Sequence, residues 1–296
     1  ASTLMSDLTN GTHVGDANEV FELECEDFVA DELAVDFIWV VDNSSSMQEE
    51  QEALVDAAET FFAALAESQI DYRLGVITTD GETLRGGSFT TSIDAFRERV
   101  QVGINGEGNE AGLEYALRAI NRARDPQTVD ERQRLRNEAV PVLIFFSDED
   151  SLIFQPLQDY ISAFDAGSVL PFAIVGPRPR GCLAVGRGFA RLGANYIQVV
   201  EALGGTTASI CSSSLDEPVR EILVAAAGAA SSTRLEETPI SGTLEVQLAT
   251  STVARSRLDG FDYEPTANSM LFFGDANLPV GTEFRVGYQR FRRLEN

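Results

Sequence analysis

Residues 35–50 read VDFIWVVDNSSSMQEE, and this stretch constrains the fold more than any other. An apolar run, Phe37 to Val41, stops at Asp42. Ser44 and Ser46 follow at alternate positions, and Glu49 and Glu50 then open a long amphipathic pattern. A strand that is apolar throughout is buried on both faces, as in a parallel sheet covered by helices. Its end in a carboxylate and two hydroxyls places oxygen donors at the carboxyl edge of that sheet. Open α/β sheets bind ligands at that edge. Hard oxygen donors suit Mg²⁺, Mn²⁺ or Ca²⁺ rather than the softer metals.

The same grammar continues downstream. The expected order is strand 36–42, helix 48–67, strand 72–78, a short helix near 93–100, helix 109–123 and an Arg/Glu-rich helical piece over 129–138. Strand 140–147 (VPVLIFFS) then ends at Asp148, followed by helix 156–166, strand 170–176 and a Pro/Gly/Arg loop over 177–188. A helix near 190–203, a short strand 206–211 and helix 216–230 complete the series. Apolar strands alternating with amphipathic helices predict an α/β fold with a doubly wound, mostly parallel sheet.

After residue 231 the pattern changes. TRLEETPI, TLEVQLATSTV, SMLFFG and TEFRVGYQRF read as strands separated by turn residues. We therefore divide the chain into an arm and strand (1–34), an α/β domain (35–231) and a small all-β domain (232–296). Residues 1–18 are polar. The segment 19–28 alternates Phe21, Leu23 and Cys25 with Glu22, Glu24 and Glu26, which fits a sheet with one wet face. It is expected to join the C-terminal β-domain, because a small sheet gains burial from an added strand.

The 296 residues carry a formal charge of −25, and all 22 basic residues are arginine. Nucleic acid and anionic membrane surfaces are poor partners for such a field. A GC-rich genome or a high-salt habitat accounts for a chain rich in Arg, Ala and Gly and free of lysine. No apolar stretch is long enough to span a bilayer. The three cysteines, Cys25, Cys182 and Cys211, include no close metal-binding pair. Cys182 and Cys211 bracket a loop-helix-strand unit and could form one disulfide, which would imply an oxidising compartment. Three buried thiols are the alternative.

Asp42-x-Ser44-x-Ser46 after one buried strand, joined to Asp148 after another, resembles the von Willebrand factor A domain over about residues 35–230. The runs DFIWVVDNSSSM, DYRLGVITTD, GLEYALRAI and VLIFFSDEDS look like a group of bacterial secreted or lipid-anchored members. The resemblance implies a metal-ion-dependent adhesion site. In it Ser44 and Ser46 would bind the ion directly, and Asp42 and Asp148 would act through waters. One coordination position would stay open for a partner's carboxylate. The family usually supplies a threonine from the loop before the helix at 109–123, and this loop reads INGEGNEAGLEYAL. Counting back from Gly112 puts Glu107 near that position, with Asn109 and Glu110 close by. The bacterial group often has a glutamate where Glu110 stands, so Glu110 is the expected ligand. The other reading of Glu110 is an acid stabilised at a helix N-terminus. The bacterial group also carries a Gly-Cys loop and a Ser-Ile-Cys strand, here Gly181-Cys182 and Ser209-Ile210-Cys211, which implies the 182–211 disulfide with Cys25 left out of it. DNSSSMQEE further resembles an integrin β arrangement in which an acidic pair holds a second ion. Two acids in a helix first turn are the alternative for Glu49 and Glu50.

Catalytic constellations are poor. His13, the only histidine, lies in the polar arm, no thiol sits beside a base, and no phosphate-binding loop with lysine exists. The expectation is a non-enzymatic, extracytoplasmic binding module. It would take Mg²⁺, with Ca²⁺ or Mn²⁺ as alternatives, through Asp42, Ser44, Ser46, Asp148 and Glu110. Its partner would be a protein or glycan that supplies a carboxylate, and a lipid anchor upstream of Ala1 and a homo- or hetero-assembly both stay open. The competing expectation is a structural subunit of a surface assembly in which the metal only stabilises the fold. A metallohydrolase built on Asp42, Asp148 and Glu110 lacks a base of suitable pKa.

Overall fold

The computed structural model describes residues 21–31, 34–68, 70–106, 110–127, 129–184, 188–231, 233–265 and 267–292. The arm at 1–18 with His13, the first residues of the strand expected at 19–28, and Glu107 and Asn109 lie outside the described residues. Contacts divide the chain into two units. One holds residues 34–66 and 70–230, and the other the described residues before 34, at 67–68 and after 230.

In chain order the elements are Phe21–Val29 (β1), Ala34–Val41 (β2), Gln48–Ser68 (α1), Asp71–Thr78 (β3), Ile93–Val100 (α2), Gly112–Arg124 (α3) and Val140–Ser147 (β4). Leu157–Ala166 (α4), Leu170–Val175 (β5), Cys182–Ala184 (β6), Gly188–Ala190 (β7), Ala194–Ala202 (α5), Thr207–Ser209 (β8) and Asp216–Ala230 (α6) complete the larger unit. Its sheet has the order β3-β2-β4-β5-β8, parallel throughout. All eight residues of β2 are buried, so its alternation is between two cores rather than between core and water. Phe37 and Trp39 pack on the rings of Phe61 and Phe96, with Trp39 5.5 Å from each. Ile38 and Val40 join Leu113, Leu143, Phe145, Tyr160 and Tyr196 in a second cluster.

The chain runs from β2 outward to β3 and then returns to the other side of β2 as β4. The order therefore reverses between β2 and β4, which is where a crevice opens at the carboxyl edge of such a sheet. Past β5 the structure departs from the expected Pro/Gly/Arg loop. Residues 182–190 include an antiparallel ribbon, β6 with β7, in which Leu183 stands opposite Phe189. A Cys182–Cys211 disulfide ties this ribbon to the residue two positions after β8, and Cys25 is a free thiol.

The piece expected as helix over 129–138 forms only a 3-10 turn, Glu131–Gln133. Tertiary ion pairing overrides its helical composition. Asp36, fully buried, accepts from the Arg73 guanidinium at 3.0 and 2.6 Å and from Nε and the backbone N–H of Arg136 at 2.9 and 2.8 Å. Arg73 also donates to the carbonyl of Arg134 at 2.9 Å. A continuous helix keeps its backbone groups for its own i→i−4 bonds, so the chain leaves the 3-10 turn at Arg134 in an extended conformation and residues 135–136 join no helix.

The smaller unit is built from Glu245–Leu248 (β9), Thr252–Val253 (β10), Gly260–Glu264 (β11), Ser269–Phe273 (β12) and Glu283–Phe291 (β13). Its four-stranded sheet has the order β1-β13-β9-β10, and β11 and β12 form a separate hairpin. β1 pairs antiparallel with β13 over all nine residues, from Phe21 opposite Phe291 to Val29 opposite Glu283. The face assignment differs from the expected one. Glu22, Glu24 and Glu26 are half-buried and share the face of Phe28, Phe284 and Tyr288. Arg290 pairs with Glu22 at 2.5 Å and Glu24 at 2.6 Å, and the Tyr288 hydroxyl donates to Glu26. These partners make the acidic row tolerable at the margin of the core, while Phe21 stays exposed. Residues 233–240, expected as a strand, contribute only an isolated bridge from Arg234 to Ser269, whereas the short β11 gave no clear signal in the sequence.

Candidate metal centre

The ladder between β2 and β4 continues one step past the end of β2, where the Asp42 N–H donates to the carbonyl of Phe146 at 2.9 Å. This brings Asp42 beside Ser147, whose hydroxyl donates to Asp42 Oδ2 at 2.5 Å. The other oxygen, Oδ1, accepts the Ser44 N–H at 2.7 Å, a local turn in which an aspartate caps the backbone two residues on. That turn holds the Ser44 and Ser46 hydroxyls 3.2 Å apart, with Ser44 half-buried and Ser46 exposed. Gln51, one turn into α1, clasps the base of the loop: its amide donates to the carbonyls of Asp42 and Gly103 at 2.9 Å each and accepts from Gly103 N–H at 3.2 Å.

Glu110 enters from the other side. It lies just before α3, and its neighbours fix it through the backbone. Ala111 N–H donates to the carbonyl of Thr79 at 2.9 Å, and Leu152 N–H donates to the carbonyl of Glu110 at 2.7 Å. The side chain is buried, and Oε2 accepts a hydrogen bond from the Thr79 hydroxyl. Thr79 follows β3, so the carboxyl ends of three adjacent strands, β3, β2 and β4, all contribute to the site. Asp148, the residue after β4, is 5% exposed, and its carbonyl accepts the Arg191 N–H at 2.7 Å. The structure thus gathers Asp42, Ser44, Ser46, Glu110 and Asp148 at one edge. Sequence reading missed Thr79, Ser147 and Gln51. Thr79 carried a signal nonetheless: a polar Thr-Thr-Asp run closing a buried strand.

The electrostatics are those of crowded acids. Burial raises the pKa of Asp42, opposed by the hydrogen bonds from Ser147 and Ser44. Burial, reinforced by the charge of Asp42, pushes Glu110 up to about 8, although the Thr79 bond pulls the other way. Asp148 rises to about 6, again chiefly by burial, with Ser46 opposing and Asp42 adding. Glu110 Oε1 and Asp148 Oδ1 are buried with no hydrogen-bond partner among the described residues. Buried carboxylate oxygens in a native protein are normally paired or coordinate a cation. Among the described residues no group of three His, Cys, Asp or Glu side chains stands ready to hold a metal. A cation here would therefore draw on the serine hydroxyls as well as on the carboxylates, the oxygen-only donor set of a hard divalent ion. Glu49 is exposed and Glu50 is buried, so the two acids of the α1 first turn occupy different environments.

Residues 37–150 match the family model for the von Willebrand factor type A domain. All five site residues fall within that stretch, and the larger unit has the von Willebrand factor A fold, a helix-covered parallel sheet. That domain is a module that typically mediates binding and adhesion. The curated proteins contain no match. Among solved structures the chain is similar to proximal thread matrix protein 1 from the mussel byssus, at 12% identity over 66% of this chain and 49% of that one, with a TM-score of 0.45. A structure of the same mussel protein described as having a zinc-occupied MIDAS motif gives 17% identity over 68% and 48%, TM-score 0.43. An aerotolerance-related membrane protein from Bacteroides fragilis gives 9% identity over 65% and 98%, TM-score 0.43. The matched region spans 49% of the mussel protein's length.

Proposed function

We propose that residues 34–230 form a divalent-cation-dependent binding module that works outside the cytoplasm and is not an enzyme. In this reading Ser44, Ser46 and Glu110 are direct oxygen donors, and Asp42 and Asp148 hold coordinated waters. The observation that carries it is the pair of buried, unpartnered carboxylate oxygens, Glu110 Oε1 and Asp148 Oδ1, in a cluster of mutually repelling acids. A divalent ion relieves that repulsion and offers a Lewis-acidic position to a carboxylate of a protein or glycan partner. Three carboxylates make a more anionic site than one with a neutral threonine, which favours Ca²⁺ or Mn²⁺ beside Mg²⁺.

The Cys182–Cys211 disulfide supports an oxidising compartment, at a bacterial surface, in an outer membrane or in secretion. The non-enzymatic reading rests on chemistry at the site. The described residues contain no histidine and the chain no lysine, and the two carboxyls raised toward neutrality, Glu110 at about 8 and Asp148 at about 6, are groups the ion would engage rather than free bases for a serine. One observation favours the structural alternative, in which an ion only stabilises a subunit of an assembly. Thr79 and Ser147 already satisfy one oxygen each of Glu110 and Asp42. Calorimetric titration with Mg²⁺, Mn²⁺ and Ca²⁺ tests the proposal. A Glu110→Gln variant should bind the ions more weakly while keeping the fold, and equal affinity in that variant would contradict the ligand assignment.

A further inference from the structure

The amino edge of the parallel sheet, opposite the metal centre, holds a cleft of about 1040 Å³. Its wall is rich in cations although the chain carries a net charge of −25: Arg73, Arg124, Arg134 and Arg136 line it, against Glu131 and Glu138. Both glutamates are exposed, where water and salt screen them. Backbone pairing gathers the arginines. The Leu135 N–H donates to the carbonyl of Ala123 at 3.0 Å. The segment after the 3-10 turn thus doubles back on the end of α3, which carries Arg134 to the same place as Arg124.

The four guanidinium groups fall into two pairs. Arg73 and Arg136 are committed inward: both bind Asp36, and Arg136 also pairs with Asp71. Arg134 is different, because its Nε is buried with no hydrogen-bond partner among the described residues. Arg124 gives one N–H to the carbonyl of Gly167, and burial pulls its pKa down with no neighbouring carboxylate to offset the effect. A Cβ at Gly167 would run into that guanidinium, so glycine is what lets Arg124 lie over the turn. Capping this turn accounts for one of the five N–H donors of Arg124, and no contact of this kind accounts for Arg134. Native proteins normally pair desolvated cations, so two unpaired ones in a single cleft point to an anion from outside.

We propose that this cleft binds a small organic dianion, a phosphate monoester or a dicarboxylate, whose oxygens bridge Arg124 and Arg134. The site is separate from the metal centre and does not depend on it. The planar fork of a guanidinium matches two oxygens of either anionic group. Two uncompensated cations call for two negative charges. The cleft is far larger than an inorganic ion and has the size of an ordinary ligand pocket, with Leu135 and Pro141 in its wall to meet an organic body. A long polyanion fits poorly, because its further charges would meet the acidic surface of the chain. A small ion inside the cleft is screened from charges more than about 10 Å away.

Calorimetry on the full chain at constant ionic strength tests this with phenyl phosphate, succinate, inorganic phosphate and uncharged succinamide. Phenyl phosphate or succinate should bind at least ~10-fold tighter than inorganic phosphate, and whichever binds tighter identifies the anionic group. Succinamide should give no heat. Arg134→Gln should weaken binding of the organic anion by ~10-fold or more, as for the loss of a hydrogen bond between charged groups. The same variant should keep the melting temperature of the free protein and its Mn²⁺ affinity. Arg134→Lys should recover little, because an ammonium lacks the fork. No heat from either organic anion, equal binding of succinamide, or inorganic phosphate binding as tightly as both would overturn the site. An Arg134→Gln variant that binds the anion as the untouched protein does would also overturn it, and a lowered melting temperature in that variant would make Arg134 a brace of the fold instead.

Discussion

The hydroxyl of Thr79 donates to Oε2 of Glu110, and Oε1 of the same buried carboxyl has no partner. A residue closing β3 thus holds a residue that precedes α3, with one oxygen anchored and the other spare. Thr79→Val removes the anchor and a hydrogen bond that lowers the Glu110 pKa. We expect divalent-ion affinity near neutral pH to fall ~10-fold, as for other losses of a hydrogen bond that orients a ligand. Calorimetry on the variant checks this, and an unchanged affinity would place Glu110 outside the coordination set.

The pKa shifts give a pH dependence with a defined sign. Glu110 stands at about 8 in the folded chain against an ordinary 4.5, and Asp148 at about 6 against 3.8. Both folded values are raised, so the folded state holds protons that the unfolded state has released. Their contribution to stability is whole below about pH 4 and is lost as pH rises through 6 and then 8. The metal-free protein should therefore melt at progressively lower temperature from pH 5 to pH 8.5. Divalent ions displace these protons, so affinity should rise by up to about tenfold per pH unit for each proton released. Melting curves in EDTA and in Mg²⁺ across this range should diverge with pH, and converging curves would contradict the assignment.

Asp42→Ala should abolish ion binding, but not without cost to the fold. The sequence places this side chain at the carboxyl edge of the sheet, the end of a buried strand. The structure buries it completely, with Ser147 and Ser44 donating to its two oxygens. Truncation orphans both donors, which costs about 1–3 kcal/mol each when they are fully buried. Removing a charge that repels Glu110 and Asp148 offsets part of that loss. Asp42→Asn keeps an acceptor for one donor and should lose binding with less destabilisation. Denaturant titration of both variants measures the difference.

Replacing Cys182 and Cys211 together by serine removes a link across a sequence separation of 29 residues. The chain-entropy model gives a loss of about 3 kcal/mol. Denaturant midpoints of the oxidised protein and the double variant test it. Free thiols at both positions in the untouched protein would remove the main support for an extracytoplasmic location.

Deleting residues 1–30 takes away β1 and with it every partner of the outer edge of β13. Hydrogen-exchange protection should fall first in β13 and next in β9, which pairs with the other side of β13. Unchanged protection in both strands would mean that β13 holds its place without β1.

Much of this arrangement was legible because it depends on local pattern. β2 and β4 announce themselves through the apolar runs 37–41 and 140–146, each followed within two residues by an aspartate, and α2, β4 and α6 begin and end where periodicity places them. Asp42, Ser44, Ser46 and Asp148 were visible for the same reason, since each follows directly on such a strand. What the sequence concealed depends on partners distant along the chain. The segment at 129–138 has helical composition, yet buried Asp36, about a hundred residues away, takes the backbone N–H and Nε of Arg136. The acidic row of β1 looked wet until Arg290 and Tyr288 were found opposite it. Thr79 and Ser147 looked like ordinary strand ends, because their partners lie 31 and 105 residues away.

Anomalous diffraction from crystals of the full chain soaked in Mn²⁺ addresses the metal assignment without intermediaries. The expected result is one dominant peak at the carboxyl edge of β2 and β4, touching Ser44, Ser46 and Glu110 Oε1, with Asp42 and Asp148 behind it. Manganese bound only elsewhere, with Ser44, Ser46 and Glu110 left untouched, would contradict it.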